Sequence, residues 1–231
     1  MSAWEAAQHY ILQYFPDCFL AVLGGSASRE VVGEHVDLDL VICGGDADGA
    51  YRRTDHAYGW MVEVFYFTAT DYRDMFDAGI RTANPALQRM LTEGRLLRAE
   101  GELAQFIIEE AKQDLLDGPM PWSSFEVDHI RYLMTEQVED IEEPTTIAEG
   151  WFAAGKLACL ICEFRLRTTC QWMGEGKHLF RYLRQYDASL ASKLEEALGT
   201  YFCRQDPQPL RHCAERALIP YGGFLSAGYK A

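Results

Sequence analysis

The sequence predicts an α+β chain: a small mixed β-sheet with flanking helices in the N-terminal half, followed by a C-terminal helical bundle. Three observations lead there. Runs rich in β-branched and aromatic residues fall at 18–23, 36–43 and 58–67. From residue 70 onward apolar residues recur at three- and four-residue spacing, the period of an amphipathic helix. Gly118-Pro119-Met120-Pro121 is the sharpest break in the pattern. The connection between the two parts is expected between residues 100 and 121, and the domains are set at 1–105 and 106–231.

In order, residues 3–14 carry Trp4, Ala7 and Ile11 on one stripe and predict a helix that Pro16 stops. A strand at 18–23 runs into Gly24-Gly25-Ser26, and Ser28 is placed to cap a short helix over 29–33. In the strand 36–43, Val36, Leu38, Leu40 and Ile42 face one way, and Asp37, Asp39, Val41 and Cys43 the other. Residues 44–49 are a glycine-rich turn, and 58–67 form a third strand with Glu63 as a lone charge. Helices are expected at 71–78 and 85–91, with 95–98 as a short last strand or a loop. Further helices follow at 102–116, 124–142, 146–172, 177–185, 188–202 and 209–218, and the apolar tail from Pro220 is expected to pack on them.

The bulk properties narrow the function. With 231 residues the chain has ample material for a core. Its net charge of −14, from 35 acidic and 21 basic residues, repels nucleic acid and favours cationic partners. The seven cysteines are scattered and odd in number, the start lacks a basic, apolar leader, and no apolar run approaches a membrane span. A cytoplasmic protein with reduced thiols and no membrane partner is expected. Cys159 and Cys162 make a lone CxxC inside a helical pattern, which predicts no zinc site. The six histidines show no metal spacing and read as structural, and Trp122, Trp151 and Trp172 read as core.

The chemistry concentrates in residues 23–42. Asp37 and Asp39, two apart on a strand, point to one face, the spacing at which two carboxylates share a hard cation such as Mg2+. The preceding glycine turn lets backbone amides and the Ser26 hydroxyl approach a phosphate closely. Glu63, on a neighbouring strand, supplies a third carboxylate where an apolar run otherwise excludes one. No Gly-Lys-Ser/Thr follows the glycines, so this is not a Walker phosphate loop.

Gly24-Gly25-Ser26, then Asp37-Leu38-Asp39, then Glu63 resembles the polymerase-β-like nucleotidyltransferase superfamily over roughly residues 18–67. Within it the chain looks like the bacterial antibiotic nucleotidyltransferases of the aminoglycoside and lincosamide type, which join a minimal catalytic domain to a helical one. Looser matches are Asn84 to Arg89 with Glu93-Gly94-Arg95, Trp172 to Lys177 with Leu179 and Arg181 to Leu183, and Gly222 to Tyr229. The resemblance implies transfer of a nucleoside monophosphate from ATP or another NTP to a hydroxyl, with pyrophosphate released and two Mg2+ ions assisting.

In that reading Asp37, Asp39 and Glu63 are catalytic and metal-binding, with Glu63 either a ligand or the base. Gly25, Ser26, Arg29 and Lys177 bind the nucleotide phosphates, with Arg181 one turn after Lys177. The acceptor is expected to be a small cationic molecule, an aminoglycoside-like antibiotic first. The acidic group Glu136, Glu139, Asp140, Glu142 and Glu143 either recruits it or is a solvated helix face. The alternative is a nucleotidyltransferase-like antitoxin or regulatory protein acting on a protein partner. No nucleic-acid partner is expected, and a monomer or a homodimer fits equally.

Overall fold

The computed structural model describes residues 1–25, 27–29, 37–45 and 49–229, the side chain of Arg29 apart. The chain is α+β and divides into two compact units, Met1–Gly118 and Pro119–Ala231.

The first unit begins with helix α1 (Ala3–Tyr14), whose start is fixed by a capping box: Ser2 accepts from the Glu5 amide and Glu5 accepts from the Ser2 amide. Strand β1 (Leu20–Leu23) follows, then a 3-10 turn (Ala27–Arg29), β2 (Leu38–Gly44), β3 (Tyr51–Ala57) and β4 (Trp60–Thr68). Helices α2 (Tyr72–Thr82) and α3 (Ala86–Glu93) lead to β5 (Arg95–Ala99) and α4 (Gly101–Asp117). The strands form one sheet in the order β3-β4-β2-β1-β5, with β2 and β4 parallel and the other neighbours antiparallel.

Both faces of the sheet are covered. Leu38, Leu40, Ile42, Val62 and Val64 pack on Ala6, Ala7, Tyr10 and Ile11 of α1. Val22, Val41, Cys43 and Phe67 pack on Phe76 of α2, Leu91 of α3 and Ile107 of α4. Strands buried on both faces read as near-continuous apolar runs, which is what β1 and β2 are.

The structure departs from the sequence reading in several places. β3 has no counterpart in it: Tyr51-Arg52-Arg53-Thr54-Asp55-His56 is a largely exposed edge strand without the apolar alternation that marks strands. Its cue is the turn that follows. Ala57 pairs with Trp60, so the hairpin has a two-residue loop, and Tyr58 and Gly59 both take positive φ, 55° and 83°. Residues 95–98 are a strand, within β5. β2 begins at Leu38, so Asp37 stands just before it. The short helix expected over 29–33 lies mostly outside the described residues. A boundary at 105–106 would cut α4, whose Ala104, Ile107 and Ala111 are buried against the sheet; the two units part after Gly118.

The second unit is built on helix α6 (Ile147–Arg167), packed among α5 (Ser124–Glu142), α7 (Lys177–Tyr186), α8 (Ala188–Arg204) and α9 (Gln208–Leu218). Leu157, Ile161 and Phe164 of α6 meet Met134 of α5, Leu183 of α7, Leu194 of α8 and Leu210 of α9 in one apolar core. α6 stops at Arg167, short of the expected 172. Cys170 takes a φ of 52°, and the Gln171 amide turns back to the Leu166 carbonyl at 2.8 Å. Trp122 packs at the edge of this core, whereas Trp151 is 46% exposed, contrary to its reading as a core residue. The tail packs down: Phe224 meets the core, the Leu225 amide donates to Thr135 Oγ1 at 2.9 Å, and Tyr229 stacks on Tyr132.

Helices α2, α3 and α4 are tied beneath the sheet by one polar group. The Asp114 carboxylate, 9% exposed, accepts from Arg73 at 3.2 Å and from Gln88 Nε2 at 3.4 Å, and Gln88 also donates to the Phe76 carbonyl at 3.1 Å. Removing Asp114 leaves a buried amide and a guanidinium short of an acceptor. Asp114→Ala should cost about 1–3 kcal/mol in urea unfolding. Exposed Asp117→Ala, three residues on, should cost less than about 0.5 kcal/mol.

Candidate functional site

The parallel pairing of β2 with β4 sets Asp39 opposite Glu63. In a parallel pair such partners share a face. This face carries Val41 and Cys43 along β2, so the two carboxylates continue the side of the sheet covered by α2, α3 and α4. Asp37 stands one residue ahead of β2 and is exposed.

The glycine turn closes over this pair. The antiparallel ladder between β1 and β2 runs on past Leu23, with the Gly24 amide donating to the Asp39 carbonyl at 2.8 Å. Gly25 then takes a φ of 61°. A Cβ on Gly25 would lie 1.8 Å from Asp39 Oδ2, so the backbone there passes against the carboxylate itself. Only glycine satisfies both the left-handed φ and that approach. Gly24 is held in turn by Met90 of α3, whose side chain would sit 3.0 Å from an added Cβ.

The Asp39 carboxyl is pushed up to about 6. Burial contributes most, followed by the charges of Glu63 and Asp37 and a hydrogen bond between the Asp39 and Glu63 carboxyl groups; Arg52 opposes them. Arg52 is the residue that sequence reading missed here, because β3 was missed. Its Nη2 lies 2.6 Å from Glu63 Oε1, and its guanidinium covers the Phe65 ring at 5.0 Å. From Glu63 the register shows why: Thr54 is its partner in β3, and Arg52, two residues back, shares its face.

Ser26 lies outside the described residues. Arg29 ends the 3-10 turn, and its side chain lies outside them too; the turn is pinned by Ser28 Oγ donating to the Gly25 carbonyl at 2.8 Å. Lys177 and Arg181 belong to the second unit, where both are exposed on α7 and Lys177 is its first residue. The acidic group on α5 is partly occupied: Glu136 accepts from Tyr132, Asp140 from Gln137 at 3.0 Å, and Glu142 from Arg211 at 2.9 Å. All seven cysteines are free. Among the described residues no helix is long and apolar enough to cross a membrane.

Among the described residues, no three His, Cys, Asp or Glu side chains are grouped as a ready metal site. The donor set at the start of β2 and beside it in β4 nonetheless fits a hard divalent cation. It consists only of carboxylates, Asp39 and Glu63 side by side with Asp37 acting on Asp39, and after burial their mutual repulsion adds to the rise of Asp39. A cation would relieve that repulsion. As the chain stands, Arg52 does part of this for Glu63.

No protein-family model matches the chain, and no curated protein matches its sequence. The structure is similar to the crystal structure of a nucleotidyltransferase-like protein from Exiguobacterium sibiricum 255-15. The two are 9% identical, the match covers 95% of this chain and 77% of that one, and the TM-score is 0.46. Likeness at that level decides neither the fold nor the activity.

The raised Asp39 makes stability depend on pH with a definite sign. Its folded value of about 6 lies above the ordinary 3.8, so the folded chain holds the proton more tightly. The contribution of Asp39 is therefore most favourable below the ordinary value and is lost as pH rises through about 6. Asp39→Asn should gain stability over the parent at pH 7.5 and lose that advantage toward pH 4, read as the difference in urea midpoints. A parallel pH response of the two proteins would contradict it.

Proposed function

We propose that this chain transfers a nucleoside monophosphate, AMP from ATP in the first instance, to a hydroxyl of a small cationic acceptor, releasing pyrophosphate. The observation that carries the reading is the Asp39–Glu63 pair, in register on adjacent parallel strands beneath a glycine whose backbone touches the Asp39 carboxylate. Two features support it: burial, and after it the crowding of like-charged carboxylates, raises Asp39, and a tight turn with a left-handed glycine borders the pair.

The balance of the step is simple. The acceptor oxygen forms a bond to the α-phosphorus, the bond from that phosphorus to the pyrophosphate oxygen breaks, and the hydroxyl proton leaves to a carboxylate. Asp37, Asp39 and Glu63 would hold Mg2+, which when bound supplies neutralisation of phosphate charge and a lower pKa for the acceptor hydroxyl. Glu63 beside Asp39 is also placed as the proton acceptor, and Arg52 is its ion-pair partner. Gly25 would bring the backbone close to the phosphates, and Ser26, Arg29 and Lys177 are the further residues assigned to bind them in this reading. The net charge of −14 favours a cationic acceptor such as an aminoglycoside-like antibiotic.

The test is pyrophosphate release from MgATP by the full chain against a panel of aminoglycosides and other hydroxylated amines, with mass spectrometry for a nucleotide added to the acceptor. Turnover is expected with at least one acceptor, and Asp37→Asn and Asp39→Asn should each lower it by about 100-fold or more. Full activity in either variant would remove the carboxylates from the mechanism, and nucleotide found on the protein itself would replace the small acceptor with a protein one.

Arg52 separates binding from charge. Arg52→Gln frees Glu63 of its counter-ion, so Mg2+ or Mn2+ should bind several-fold tighter by titration calorimetry, whereas Asp39→Asn should bind either ion more weakly. Weaker binding in Arg52→Gln would mean that the arginine holds Glu63 in the geometry the ion needs.

A further inference from the structure

The helical unit contains a cavity of about 540 Å³ between α6, α8 and α9. That is the size of a small-molecule site. It is lined by residues between Arg165 and Tyr221, so it is built without any residue of the first unit, and the proposed transfer reaction gives it no role. Leu190, Cys213 and Tyr221 give it apolar walls.

Its charges are uneven. Arg165 and Asp187 both line it but neutralise each other at 3.0 Å, and Asp187 also accepts from the Leu190 amide at 3.0 Å as the cap of α8. Lys193 on α8 and Arg216 on α9 line it as well, and neither makes an ion pair among the described residues. Both act on the same point, the Cys213 thiol: burial pushes it up, and the charges of Lys193 and Arg216 pull against that. The acid facing them is Glu196. Two cations against one carboxylate leave an excess of positive charge over an apolar cavity, in a chain with 35 acidic and 21 basic residues. An excess of this sign runs against the composition of the whole chain, and next to apolar walls it acts with less screening than on an open face.

We propose that this cavity binds a small organic anion, a flat apolar body bearing one carboxylate or phosphate. The anionic group meets Lys193 and Arg216, and the body lies along Leu190, Cys213 and Tyr221. A bare inorganic anion would leave the apolar wall wet, and an uncharged aromatic would leave the cations without a counter-ion.

Lys193 and Arg216 are exposed at the mouth, so changing them leaves the core intact. The experiment is amide chemical-shift titration of the full chain with 2-naphthoate, 2-naphthyl phosphate, 2-naphthamide and inorganic phosphate. Saturable shifts confined to α6, α8 and α9 are expected for one or both naphthyl anions, with Kd below about 1 mM. The naphthamide and inorganic phosphate should bind at least tenfold more weakly, and Lys193→Gln with Arg216→Gln should weaken the anion at least tenfold at unchanged Tm. The ratio of the two naphthyl arms separates a carboxylate ligand from a phosphate one. No saturable shift with either naphthyl anion, or equal binding by the naphthamide or by the double variant, would overturn the proposal. All outcomes are independent of nucleotidyl transfer, whose loss in Asp39→Asn should leave this binding untouched.

Discussion

Everything distinctive about the first unit depends on one pairing, the parallel contact of β2 with β4. Because the two strands run the same way, Asp39 and Glu63 come side by side on one face instead of at opposite ends of a ladder. The surrounding structure is arranged to hold two carboxylates where apolar side chains would otherwise sit. α1 seals one face of the strands, α2 to α4 seal the other, and the glycine turn presses on Asp39 from the end of β1. The result is a carboxyl that keeps its proton until about pH 6, next to one that Arg52 holds in an ion pair.

The two halves of the chain solve different packing problems. In the first unit the sheet is the organiser, and the polar knot of Arg73, Gln88 and Asp114 fixes the helices beneath it. In the second, α6 is the organiser, with small residues where neighbours come close. Gly150 is one: a Cβ there would lie 2.3 Å from the Tyr201 hydroxyl, which reaches past it to the Ile141 carbonyl. Ala153, Ala154 and Ala158 keep the same helix slim where others cross it.

What could be seen in the sequence follows from how each element is stabilised. β1, β2 and β4 were legible because burial on both faces makes them continuous apolar runs, and the helices because one buried stripe sets a period. β3 was not legible, because an edge strand held by backbone hydrogen bonds can carry Arg52, Arg53, Asp55 and His56 with no apolar signature; only Gly59 marked its turn. Arg52 was lost with it. The closeness of Gly25 to Asp39 was legible as a type of residue in a type of turn, whereas the contact itself depends on the register of β1 against β2, which no local pattern encodes. The end of α6 was misplaced because its stop is a left-handed Cys170, a residue with no reputation for ending helices.

The exposed strand β3 has a bearing on how the chain behaves in a crowd of its own copies. The outermost strand of a sheet offers a row of free amides and carbonyls to any passing chain, and a flat apolar one invites stacking into larger sheets. Here that border carries two arginines, an aspartate and a histidine, and Arg52 and Arg53 are paired with Glu63 and Asp55. A second copy approaching border to border would have to strip water from these charged side chains and disturb their ion pairs. The same arginine that tempers a carboxylate inside the molecule therefore also helps keep one molecule from being extended by the next.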